Sequence, residues 1–219
     1  IAFGGGYPNA VSCTEEYNGS SWSGATAMIT VVGRTSTGAG GGTQNAALSA
    51  GGTSPLGRCT EEYNGSTWAA GGTISAPATA GSGAGGTQNA YIIVGGYYMP
   101  ASPANVHVYN GTAWSATTGT PVARGSGGVG IGLQNALLSL GANPSGTSTI
   151  KWDGISWTAA ANLNYHGTGG GGLGTVNDAL KVGGDTNPSA NRYHNTEYYN
   201  GETWTLSGLL IQGLHAAAA

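Results

Sequence analysis

Three groups of residues in this sequence could do chemistry. Glu15-Glu16 and Glu61-Glu62 are adjacent carboxylate pairs, and His107 and Glu197 stand in the register of Glu15 and Glu61. Paired carboxylates suggest general acid–base work, above all glycoside hydrolysis, in which both groups must face one cleft about 5–9.5 Å apart. Arg34, Arg124 and His166 form a second group, with His215 near the same register; such a set could hold an anion or an acidic sugar. Tyr97-Tyr98-Met99 and Arg192-Tyr193-His194 form a third, with aromatic rings beside polar groups. That mixture suits stacking on sugar rings or gripping a protein surface. His107, His166, His194 and His215 have no ligand spacing and there is no Cys-x-x-Cys, so no metal site is expected. There is no Ser-His-Asp motif and no phosphate loop, and the Gly-x-Gly strings do not open a helix. No cofactor is expected.

What positions these groups is a repeat. Thr-Glu-Glu-Tyr-Asn-Gly-Ser-Ser-Trp at residues 14–22 recurs in variant form at 60–68, 106–114, 149–157 and 196–204. Each copy places an aromatic residue (Tyr17, Tyr63, Tyr109, Trp152, Tyr199) before Asn-Gly or Asp-Gly, and a tryptophan three residues after the glycine. The tryptophans fall 46, 46, 43 and 47 residues apart. A fixed period of this size is the mark of a repeat architecture.

Aligned on the Asn-Gly turn, each unit reads as four antiparallel strands. The first is glycine-rich and closes in a Gln-Asn turn, as at Gln44-Asn45 and Gln88-Asn89. The second is a short apolar run ending in glycines, such as Tyr-Ile-Ile-Val-Gly-Gly at 91–96. Runs this short, bounded by glycine, are strands rather than helices. The third carries the aromatic residue into Asn-Gly, the strongest short hairpin signal, and the fourth holds the tryptophan. Four such strands per 40–50 residues predict a propeller blade. The expectation is an all-β chain, a single domain over 1–219, folded as a five-bladed β-propeller of four-stranded antiparallel blades. The blade units run approximately over 1–35, 36–81, 82–126, 127–167 and 168–219. Small residues suit strand one, where the innermost strands converge; Tyr and Trp belong farther out, where wedge-shaped blades leave space. The chain opens on strand two of its first unit, so residues 209–219 are expected to lead back and pair with residues 1–6, closing the ring and removing open sheet edges.

This placement changes the reading of the candidate groups. Repeat symmetry spreads the glutamates around a ring instead of gathering them in one cleft, which favours partners between blades. Arg34, Arg124 and His166 ring the mouth of the channel, where bonding to backbone is again favoured over ligand binding. The strand two–three loops at 7–11, 53–58, 97–105, 143–148 and 185–195 all lie on that same face, and each contains proline. Variable loops on a rigid scaffold are where binding usually resides. The sequons at Asn18, Asn64 and Asn110 coincide with the hairpin turn, and the turn alone explains them.

The glycine pair closing strand two, the aromatic of strand three and the tryptophan of strand four resemble the kelch repeat over essentially the whole chain. Asn-Gly stands where many kelch units have an acidic turn. Gly-Ser-Thr-Trp at 65–68 and Gly-Glu-Thr-Trp at 201–204 are also similar to the Asp-box of sialidase-type propellers, without its aspartate. The wording Tyr-Asn-Gly-Ser-Thr-Trp with Gly-Thr-Gln-Asn-Ala resembles the Gly/Ala-rich repeats of bacteriophage tail-fibre and other virion proteins. This resemblance implies a non-catalytic module on a virion or cell exterior, with a host surface glycan or protein as partner beside other virion or surface proteins. The candidate ligand-binding residues are Tyr97, Tyr98, Arg192, Tyr193, His194, Arg34, Arg124 and His166. The alternatives are a glycan hydrolase or lyase on the same scaffold, and a purely architectural virion or surface-layer component.

Composition bounds the rest. Only 7% of residues are charged, against roughly 25% in a typical soluble domain, and 43 glycines is about three times the usual share. Six Trp and eleven Tyr at fixed places nonetheless supply a core. A net charge of −3 gives no footprint for nucleic acid, and no apolar run approaches a membrane span. Cys13 and Cys59 hold one position in successive units, too far apart for a disulfide, and are expected as free, partly buried thiols. Ile1 is not an initiator methionine and no signal peptide is visible, so a processed chain or a segment of a longer one is expected.

Overall fold

A computed structural model of the chain describes residues 1–5, 9–31, 38–52, 57–75, 84–96, 104–125, 127–142, 146–184 and 194–213. These residues are all-β, without helix, and form five antiparallel sheets arranged as a five-bladed β-propeller. Blade 1 comprises β1 (Ala2–Phe3), β2 (Thr14–Tyr17) and β3 (Trp22–Ala25). Blade 2 comprises β4 (Gly38–Thr43), β5 (Ala46–Gly51), β6 (Thr60–Tyr63) and β7 (Trp68–Ala70). Blade 3 comprises β8 (Ala84–Thr87), β9 (Ala90–Val94), β10 (Val106–Tyr109) and β11 (Trp114–Thr117). Blade 4 comprises β12 (Val129–Leu133), β13 (Ala136–Leu140), β14 (Thr149–Trp152) and β15 (Trp157–Ala159). Blade 5 comprises β16 (Gly171–Thr175), β17 (Asp178–Val182), β18 (Asn195–Tyr199) and β19 (Trp204–Leu209).

Each hairpin between strands three and four turns on one side chain. Oδ1 of Asn18, Asn64, Asn110, Asp153 or Asn200 accepts the backbone N–H groups two and three residues ahead at 2.8–3.0 Å. This side-chain mimic of a backbone turn explains why Asn or Asp stands there in every unit. The turn sets the strand register, pairing Tyr63 with Trp68 and Tyr109 with Trp114.

Strand two supplies the floor of the core: Leu48, Ile92 and Leu138 are fully buried. Its terminal glycines leave the strand with φ values open to few other residues, 74° at Gly51 and 121° at Gly52. Strand one is innermost: β4, β8, β12 and β16 lie against one another in that order. Their backbones approach so closely that a Cβ on Gly85 would stand 2.6 Å from the carbonyl oxygen of Gly132 in the next blade. The glycine content of strand one is therefore steric.

Blade 1 differs from its fellows. Its sheet has three strands among the described residues, and the position of strand one beside β1 has no described occupant. The expected pairing of the C-terminal residues with residues 1–6 involves 214–219 and Gly6, which lie outside the described residues. Strand four of blade 5 runs on through Leu209, past a register shift at Thr196/Glu197, so the connecting segment starts one residue later than the alignment suggests. Both cysteines are free; Cys59 is partly buried as expected, whereas Cys13 is exposed, in a blade whose Tyr17 and Trp22 are exposed too.

Replacing Gly85 by valine forces the β8–β12 contact apart and is expected to cost about 1–3 kcal/mol. Gly24→Ala, at a site with nothing within 4 Å of the added Cβ, should be neutral or slightly stabilising. Urea denaturation midpoints of the two variants check the difference; equal losses would refute the steric account of strand one.

Candidate functional site

The repeated ionisable groups sit at the junctions between blades. Glu61, 1% exposed, accepts N–H bonds from Ile29 (2.7 Å) and Thr30 (3.1 Å), and a bond from the Thr30 hydroxyl. Ile29 and Thr30 belong to the segment connecting blade 1 to blade 2. Glu197 holds the equivalent segment between blades 4 and 5 through the N–H groups of Asn164 (2.8 Å) and Tyr165 (3.1 Å). His107 does so between blades 2 and 3, its Nδ1 3.2 Å from Ser75 Oγ, and burial lowers its pKa below the ordinary 6.5. Buried charge is tolerable here because several donors satisfy each carboxylate. The expectation that these groups join blades describes Glu61, Glu197 and His107. It does not describe Glu15, which is exposed and has no hydrogen bond among the described residues.

Glu16 and Glu62 face the following blade. Glu16 accepts the Tyr63 hydroxyl at 2.8 Å, and Glu62 accepts that of Tyr109. Burial and that bond to Glu62 push the Tyr109 phenol up to about 12. Beside each tyrosine lies the strand-four tryptophan, ring centroids 5.1 Å apart for Tyr63–Trp68 and 5.0 Å for Tyr109–Trp114. Trp68 and Trp114 donate Nε1–H to the hydroxyls of Thr14 and Thr60 in the preceding blades, at 3.0 and 2.8 Å. Gln88 and Gln134 each donate to two carbonyls of the preceding blade.

On the loop face the structure brings two predicted residues to one segment. Arg124, 1% exposed, donates to Ser148 O (3.3 Å) and Ser148 Oγ (2.9 Å) at the end of the blade 4 loop. Burial lowers its guanidinium to about 10, still charged at neutral pH. The His166 ring lies over Gly146 of the same segment, and its carbonyl accepts from the buried Lys181 ammonium at 3.3 Å. Arg124 Nε and His166 Nδ1 are buried without a hydrogen-bond partner among the described residues. His194 is exposed, with Nδ1 3.0 Å from Leu210 O, and does not join them. Tyr97, Tyr98, Arg192, Tyr193, Arg34 and His215 lie outside the described residues.

The opposite face holds a cleft of about 320 Å³ between the turns of blades 4 and 5, lined by Asn135, Lys151, Asp153 and Asn177 among others. Lys151 donates to Gly201 O (2.8 Å) and stands 5.0 Å over the Tyr199 ring. The amides of Ser156 and Ile155 hold the Asp153 carboxyl below the usual range. The cleft therefore pairs an ionised carboxylate with an occupied ammonium. Two departures from the repeat mark it in the sequence: Lys151 where the first two units carry Glu16 and Glu62, and Asp153 where the other four carry Asn.

No protein-family model matches the chain, and no curated protein sequence matches it.

Two experiments check the junction chemistry. Glu61→Ala strips three donors of their acceptor and should cost about 2–3 kcal/mol, whereas Glu15→Ala, without a partner, should change stability by less than about 0.5 kcal/mol; chemical denaturation of both reads the contrast. His107 has a lowered folded pKa, so its neutral form is favoured by folding. That contribution is complete above pH 6.5 and is lost as pH falls through the folded value. His107→Gln should therefore flatten the decline in stability below pH 6.5, and an unchanged slope would contradict a burial-driven shift.

Proposed function

We propose that this chain is a non-catalytic binding module exposed on a virion or cell exterior. In this reading it acts as a kelch-like tail-fibre or receptor-binding element, recognising a host surface glycan or protein through its variable-loop face. The observation that carries the reading is the division of labour between the two sets of polar groups. Glu16, Glu61, Glu62, Glu197 and His107 are engaged at blade junctions. Beside the blade 4 loop, by contrast, Arg124 Nε and His166 Nδ1 are buried with no hydrogen-bond partner among the described residues. Both atoms are buried, so they bear on a ligand through the loop above them, and variable loops on a rigid scaffold are where binding resides. Carboxylates held apart at separate junctions do not provide the facing pair that glycoside hydrolysis needs, which weighs against the glycan-hydrolase alternative.

A glycan array probed with the whole chain tests the reading. Binding to a defined glycan class is expected, abolished by Tyr97→Ala with Tyr98→Ala and weakened by His166→Ala, with the thermal melt of each variant unchanged. Binding to no glycan and to no host-surface protein would remove recognition in favour of an architectural role.

A further inference from the structure

The four junctions between successive blades use one set of positions, and the same positions stand uncovered at both ends of the blade series. The leading side of a blade presents its strand-three aromatic residue, its strand-four tryptophan and a group at the Glu61 position. In blade 2 these are Tyr63, Trp68 and Glu61, at 1%, 6% and 1% exposure. In blade 1 they are Tyr17 and Trp22, at 42% and 54%, and Glu15, also exposed. The Tyr17–Trp22 ring pair is already assembled, with centroids 5.2 Å apart. Among the described residues the Tyr17 hydroxyl reaches only the carbonyl of Gly19 in its own turn, where Tyr63 and Tyr109 reach a carboxylate of the preceding blade.

The trailing side of blade 5 is the complement. Thr196 occupies the position from which Thr14 and Thr60 accept the next blade's tryptophan, and Tyr198 the position of Glu16 and Glu62. Tyr198 is 40% exposed, beside Leu206 at 52%. Leu210 repeats the backbone bond of Met28, Ile74 and Leu163, its N–H donating to the carbonyl of His194 as theirs do to Ser12, Arg58 and Thr147, each two residues ahead of the repeat's threonine. Those three side chains are buried under the next blade, whereas Leu210 is only half-buried. The next two residues, Ile211 and Gln212, match Ile29 and Thr30, whose amides Glu61 binds; here those amides have no acceptor among the described residues.

The structure assigns these two faces as halves of a junction made between two copies of this chain, with the last blade of one copy seated on the Tyr17–Trp22 face of the next. Among the described residues one chain carries both halves and leaves both open, with no hydrogen bond joining blade 5 to blade 1. A second copy supplies the hydroxyl acceptor for Trp22 and the amides for Glu15. The contact is heterologous, so it propagates head to tail until a ring closes or a filament forms. It is independent of recognition by the loop face.

Sedimentation velocity over a concentration series tests this. The weight-average mass should rise with concentration, and Trp22→Asp should weaken association at least tenfold while leaving the far-UV spectrum and thermal melt intact, since Trp22 supports no internal junction. A second variant carries Cys13→Ser and Cys59→Ser with Glu15→Cys and Ile211→Cys. On oxidation it should give disulfide-linked dimers and higher species. Monomeric mass at every concentration would overturn the inference. So would an intrachain disulfide at monomer mass, which would mean that one ring closes on itself, or an assembly indifferent to Trp22→Asp.

Discussion

Everything in this propeller depends on how one blade is seated on the blade before it. With 7% charged residues and a glycine-rich inner strand, no single sheet has the apolar surface to stand alone. The aromatic pair closes that deficit. Tyr63 with Trp68, and Tyr109 with Trp114, fill the wedge between sheets, where large rings contribute most of the buried apolar surface. Their polar tips then need partners, and the preceding blade provides them: Thr14 and Thr60 for the indoles, Glu16 and Glu62 for the phenols. The hydrophobic contact and its hydrogen bonds form one unit, so a blade gains stability only when its neighbour is present, the usual physics of repeat architectures.

The junctions vary within that scheme. Val106 stands where Thr would receive Trp157, and the indole turns instead to the carbonyl of Thr118 at 3.0 Å. Lys151 replaces the acceptor glutamate and meets Tyr199 through the face of its ring. Val176 replaces the junction glutamine, and Lys151 bonds to Gly201 O across that seam. Trp204 Nε1 and Thr149 Oγ1 occupy the donor and acceptor positions of the fourth junction, yet both are buried without a partner among the described residues. An unmade bond of this kind costs about 1–3 kcal/mol, a cost that the first two junctions, with their Trp–Thr bonds made, do not carry. The cleft beside Lys151 and Asp153 opens at the same seam.

This arrangement separates the repeated chemistry from the variable chemistry. The most repeated stretch, with its adjacent glutamates, has the look of a site but works as a clamp. Glu61 and Glu197 hold connecting segments, and their carboxylates are saturated by amides. The loops that differ from blade to blade lie at the same end of the blades as these clamped segments, and there Arg124 and His166 meet one segment of blade 4.

The sequence by itself determined the blade. Period, Asn-Gly turns, apolar second strands and aromatic third and fourth strands are local patterns, and local hydrogen bonding such as that of Asn64 and Asn110 fixes their register without reference to the rest of the chain. It also predicted that the glutamates would act between blades, since symmetry forbids their convergence. Tertiary structure alone decided which partners each residue found. Glu15 and Glu61 have identical neighbours in sequence, yet one is exposed and the other carries three donors. Tyr17 and Tyr63 differ in the same way, 42% against 1% exposed. The reason is that a residue's burial at a junction is a property of the neighbouring blade, and no pattern within a repeat records whether that neighbour is there.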